Sequence, residues 1–77
     1  MAIERVRLKI TGAHTMHCRG CERSAEFLLS TLSGVEEVTA DHKTQQIDIA
    51  FDPKHTTLGK LQEVLHEIDY QTTPVSL

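Results

Sequence analysis

The sequence has no tryptophan, and its only large aromatics are Phe27, Phe51 and Tyr70. A nucleic-acid surface combines a concentrated basic patch with rings for stacking. Neither is present: Arg5, Arg7, Lys9, Arg19, Arg23, Lys43, Lys54 and Lys60 are scattered along the chain, and the formal net charge is −3. No apolar run approaches the roughly 20 residues of a membrane span. The opening stretch from Met1 to Arg7 alternates in character and lacks the apolar heart of a signal peptide. The expectation is a cytoplasmic chain with no membrane contact of its own and no nucleic-acid partner. There are no internal linkers and no low-complexity segments. Cysteine is scarce too, with Cys18 and Cys21 as the whole complement. In a reducing compartment such a pair is catalytic or metal-binding more often than a structural disulfide.

A chain of 77 residues has room for one domain, expected over residues 1–77. A domain of this size buries only roughly 60% of its unfolded surface, so its core is thin. A second lobe enclosing a deep substrate pocket does not fit, which favours binding over catalysis.

The hydrophobic pattern is informative along the whole chain. Val6, Leu8 and Ile10 alternate with Arg5, Arg7 and Lys9, which predicts a half-buried strand over 4–10. Residues 11–17 read as a loop. From Cys21 the period becomes helical, with Ala25, Leu28, Leu29 and Leu32 on one face and Glu22, Arg23 and Glu26 outward. Ser33 and Gly34 are expected to end that helix. Val35 to Ala40 reads as a second strand, Asp41 to Thr44 as a turn, and Ile47, Ile49 and Phe51 as the inward face of a third strand. Asp52-Pro53 breaks it. Thr56 or Thr57 can cap a second helix whose core face is Leu58, Leu61, Val64, Leu65 and Ile68. Tyr70 to Val75 closes as a last strand.

Strand, helix, strand, strand, helix, strand is the split βαβ order. It predicts a ferredoxin-like α/β (α+β) sandwich, a four-stranded antiparallel sheet with two helices on one face.

The stretch that carries chemistry is Met16-His17-Cys18-Arg19-Gly20-Cys21. Two thiols separated by two residues can point at one ion. The second opens a helix, where unpaired N–H groups and the dipole favour negative charge. Thiolate is the metal-binding form of cysteine, and a nearby cation such as Arg19 favours it further. Gly20 is expected to let the backbone bend so that both sulfurs converge. Two thiolates with few other donors select a soft ion of low coordination number. Cu(I) accepts two sulfurs, whereas Zn(II) usually takes four ligands. An exposed loop also permits an incoming thiolate to enter before a resident one leaves.

Met16-x-Cys18-x-x-Cys21, placed after a first strand and before a first helix, resembles the motif of the heavy-metal-associated domain family. Three further landmarks resemble that family in register: Gly34-Val35-Glu36-Glu37-Val38, Phe51-Asp52-Pro53 and Ile68-Asp69-Tyr70. The resemblance covers nearly the whole chain. It implies that Cys18 and Cys21 are the metal ligands, that Met16 anchors the loop from within the core, and that Tyr70 lies beside the loop. It also implies a copper chaperone or an N-terminal domain of a metal-transporting P-type ATPase. The expected partner is such an ATPase or its chaperone, and a metal-bridged homodimer is a further expectation.

The chain departs from the pattern in places. Thr15 stands where the family carries glycine before the methionine, Asp69 where it carries glycine before the tyrosine, and the loop is about three residues longer, bringing in Gly12, Ala13 and His14. If His14 or His17 joins the thiolates, the site turns toward Zn(II), Cd(II) or Hg(II), since imidazole suits zinc. Otherwise both are solvated loop residues, as His42, His55 and His66 are expected to be on the surface. A rival of another class is a small dithiol oxidoreductase, because CxxC beside a βαβ unit also reads that way. Thioredoxin-like folds need a longer chain and a proline beside the site, and Pro53 and Pro74 stand in other contexts.

Overall fold

The computed structural model describes residues 3–17 and 19–75. Its elements follow the order read from the pattern: β1 (Glu4–Ile10), α1 (Arg19–Ser30), β2 (Val35–Asp41), β3 (Gln46–Phe51), α2 (Leu58–His66) and β4 (Thr72–Val75). The sheet order is β2-β3-β1-β4, and every neighbouring pair is antiparallel. No helix is long and apolar enough to cross a membrane among the described residues.

The alternation in β1 and β3 decides which face is buried. Leu8 sits opposite Ile47 and Val6 opposite Ile49, so these side chains share one side of the sheet. Ala25 and Leu29 of α1, and Leu61, Val64 and Leu65 of α2, pack into the same cluster as Leu8, Ile10, Ile47, Ile49 and Phe51. Both helices therefore lie over one face, in the ferredoxin-like arrangement. The opposite face is polar. There Arg7 of β1 grips Asp48 of β3 through Nε at 2.8 Å and Nη2 at 3.2 Å, and these two residues are register partners. The carboxylate holds the Arg7 guanidinium above its ordinary value through that hydrogen bond and its charge.

Element ends differ from the sequence reading where hydroxyls and turns intervene. Helix α1 begins at Arg19, two residues before the helical period is visible, and Gly20 stands inside its first turn. It stops at Ser30, where Ser30 Oγ donates to Phe27 O at 2.8 Å and Thr31 Oγ1 to Leu28 O at 2.7 Å. Those hydroxyls occupy last-turn carbonyls. Gly34 lies beyond, at φ 93°, and a Cβ there would come within 2.6 Å of His55 Cβ. Only glycine fits that approach. Of the two candidate caps for α2, Thr57 is the one used: its hydroxyl accepts from Lys60 N.

The C-terminal end of α2 sets up the site. Asp69 adopts φ 68°, while Tyr70 N donates to Leu65 O and Asp69 N to His66 O, each at 3.0 Å. This is the Schellman pattern, in which the left-handed residue turns the chain and the next side chain folds back onto the helix. Aspartate fills the role that glycine has in the family motif. Tyr70, expected in β4, is instead this cap residue and is 5% exposed.

Candidate metal centre

Antiparallel topology gathers three segments at one end of the sheet: loop 11–17 leaving β1, turn 42–45 between β2 and β3, and cap 67–71 after α2. Backbone hydrogen bonds join them. Ile10 N donates to Gln45 O at 2.9 Å, and Thr11 N to Gln71 O at 2.8 Å.

Met16 is 2% exposed and belongs to the hydrophobic core, so its thioether anchors the loop. Its backbone is held as well: Met16 N donates to Gln45 Oε1 at 2.9 Å, and Gln45 Nε2 donates to Met16 O at 2.7 Å. His17 follows and is exposed. Cys18, the first expected ligand, lies outside the described residues. Cys21, the second, stands in the first turn of α1, half-buried against the edge of the core. The helix N-terminus favours negative charge there.

His14, carried by the longer loop, stacks on Tyr70 with ring centroids 4.8 Å apart and planes 20° from parallel. The extra residues thus deliver a ring onto the cap tyrosine. Met16 and Tyr70 both sit where they support the loop from the core side.

Two residues beside this end, for which the sequence predicts solvated side chains, are partly buried and paired with each other. Glu22, next to Cys21, accepts from His42 N at 2.7 Å and meets the His42 ring Nδ1 at 2.5 Å. Both are only half-buried or less exposed, with side-chain exposures of 16% for Glu22 and 31% for His42. The His42 backbone N–H, and then its ring, hold the Glu22 carboxyl below its ordinary value. Asp41 joins them: one donor atom from each of Glu22, Asp41 and His42 lies within 4.8 Å of the others. Asp41 Oδ1 also accepts from Lys43 N at 2.8 Å. The two Glu22–His42 contacts act as a strut from the turn to α1. Glu26 likewise accepts from Ala40 N at 2.9 Å, fastening α1 to β2. The sequence carries no periodic sign of these links, because they join residues 14–29 positions apart.

The sequence profile of the heavy-metal-associated domain matches residues 12–71. A copper-exporting P-type ATPase of Staphylococcus aureus (strain Newman) is 30% identical over 73 residues, which make up 95% of this chain and 9% of that protein. The chain thus spans about a tenth of the length of the curated relatives it matches. Among solved structures, oxidized MerP from Ralstonia metallidurans CH34 superposes with a TM-score of 0.84 at 25% identity, covering 97% of this chain and all (100%) of that one. The putative copper-ion-binding protein from Bacillus anthracis str. Ames gives a TM-score of 0.83 at 25% identity, covering 94% and 97%.

Proposed function

Because the chain belongs to the heavy-metal-associated domain family, we propose that it binds Cu(I) through the Cys18 and Cys21 thiolates and passes the ion on by thiolate exchange. That family binds metal and does not catalyse a reaction, which sets the oxidoreductase reading aside. Residues 1–77 act in this reading as one domain, either a metallochaperone or the metal-binding part of a transporter. Its partner is a metal-transporting P-type ATPase or the chaperone that loads one. The copper-exporting relative supports copper as the cargo.

The observation that carries the reading is the position of Cys21. It stands half-buried in the first turn of α1, directly after a loop whose methionine is sunk in the core. A thiolate there keeps its sulfur at the rim and its backbone on a rigid helix. A soft ion of low coordination number needs nothing more from the protein than two such sulfurs. A partner's thiolate can then bond to the ion, giving a three-sulfur intermediate, and one resident sulfur departs. Repeating the step moves the ion with no change in its oxidation state.

Competition of Cu(I) and Zn(II) against chelators of known strength, under reducing and anaerobic conditions, tests the reading. Cu(I) held far more tightly, at one ion per chain or one per metal-bridged dimer, supports it. Tight Zn(II) binding that is lost in His14→Ala or His17→Ala contradicts it and assigns a divalent-metal site to the enlarged loop.

A further inference from the structure

Gln45 occupies a backbone position where glycine would be comfortable. Its φ is 58°, in the left-handed region that side chains adopt only at a cost. Such a residue persists where the surrounding structure over-determines it, and an observed outlier of this kind invites a functional account. Here the side chain supplies one. Its amide is fully used: Oε1 accepts from Met16 N, and Nε2 donates to Met16 O and to His42 O. Its own carbonyl accepts from Ile10 N, the last residue of β1. One residue of the β2–β3 turn therefore fixes both the start of the loop and the peptide two positions before Cys18.

The same turn holds the other flank. His42 donates its backbone N–H to Glu22 at 2.7 Å, and its ring meets the same carboxylate. Glu22 follows Cys21 directly. The chain on either side of the Cys18-to-Cys21 segment is thus tied to two residues of the 42–45 turn, His42 and Gln45, neither of which carries a thiol. Through Gln45 Nε2 and His42 O the two ties are themselves joined.

We infer that Gln45 is a positioning residue for metal binding: its amide clamps the Met16 peptide and so holds the loop that leads into the Cys18-to-Cys21 motif before an ion arrives. This rests on the two-thiolate reading above. Holding ligands in place before the ion arrives lowers the ordering cost of binding. Removing the supports of a metal site typically costs about 10–100-fold in affinity.

The test uses Gln45→Gly, which relieves the left-handed backbone while deleting the clamp, and Gln45→Glu, which keeps length and one acceptor but loses both donors. Amide hydrogen exchange at Met16 is followed in the metal-free protein, and Cu(I) affinity is measured by chelator competition. The expected result is fast exchange at Met16 in Gln45→Gly with core amides such as Leu8 still protected, and Cu(I) affinity about tenfold weaker in both variants. A merely structural role predicts variants that, once folded, hold Cu(I) like the parent; that result, or unchanged Met16 exchange, overturns the proposal. A parent protein that does not compete for Cu(I) at all overturns the thiolate reading and the proposal with it. A parent that binds, with variants binding equally well, overturns the proposal alone.

Discussion

The His14 ring lies flat on the Tyr70 ring, with centroids 4.8 Å apart. This pairing ties one of the two candidate added ligands to the helix cap. His14→Ala should leave Cu(I) affinity nearly unchanged while lowering stability by about 1 kcal/mol, the usual worth of an aromatic pair. Chelator competition and chemical denaturation on the same variant separate the two effects. A large loss of Cu(I) affinity would place the imidazole at the ion.

Asp69 carries the left-handed cap at φ 68°, where the family motif has glycine. Its side chain is exposed, so nothing is lost by removing it. Asp69→Gly should therefore stabilise the protein, by roughly 0.5–1 kcal/mol, as backbone strain is relieved against the greater chain freedom of glycine when unfolded. A rise in the denaturation midpoint, with the His14–Tyr70 stack retained, is the expected outcome. A fall would mean that the aspartate contributes more than its backbone angle.

Glu22 is held below its ordinary value of 4.5, first by the His42 backbone N–H and then by the His42 ring. A lowered folded-state value means that the unfolded chain binds the proton more readily. The contribution to stability is then fully present above pH 4.5 and is lost as pH falls through the folded value. Glu22→Gln keeps a carbonyl to accept the His42 N–H but cannot titrate. Melting curves on both sides of pH 4.5 should show the parent losing stability on acidification more steeply than this variant. Parallel pH profiles would remove Glu22 from the acid response.

Much of the architecture is legible in the sequence because it is periodic. Val6, Leu8 and Ile10 alternate, Leu58, Leu61, Val64 and Leu65 recur at helical spacing, and each pattern names its element and its buried face. The motif Met16-x-Cys18-x-x-Cys21 is legible because its spacing is local. Its supports are not. Gln45 reaches Met16 across 29 positions and His42 reaches Glu22 across 20, and hydrogen bonds from side chain to backbone leave no period behind. For the same reason Glu22 and Glu26 read as solvent-facing until the hairpin is folded onto α1. Tyr70 reads as strand because a buried aromatic suits a strand; the Schellman turn that claims it depends on a backbone angle at Asp69 that residue type permits without demanding.

The most direct test of the central claim is Cu(I) titration, under reducing and anaerobic conditions, of the parent protein beside Cys18→Ser and Cys21→Ser. Cys21 is only partly buried at the edge of the core, and serine matches cysteine closely in size, so both variants are expected to keep the parent's circular dichroism. The account predicts tight Cu(I) binding by the parent and its loss in each variant separately. Tight binding retained in either serine variant would contradict the two-thiolate site.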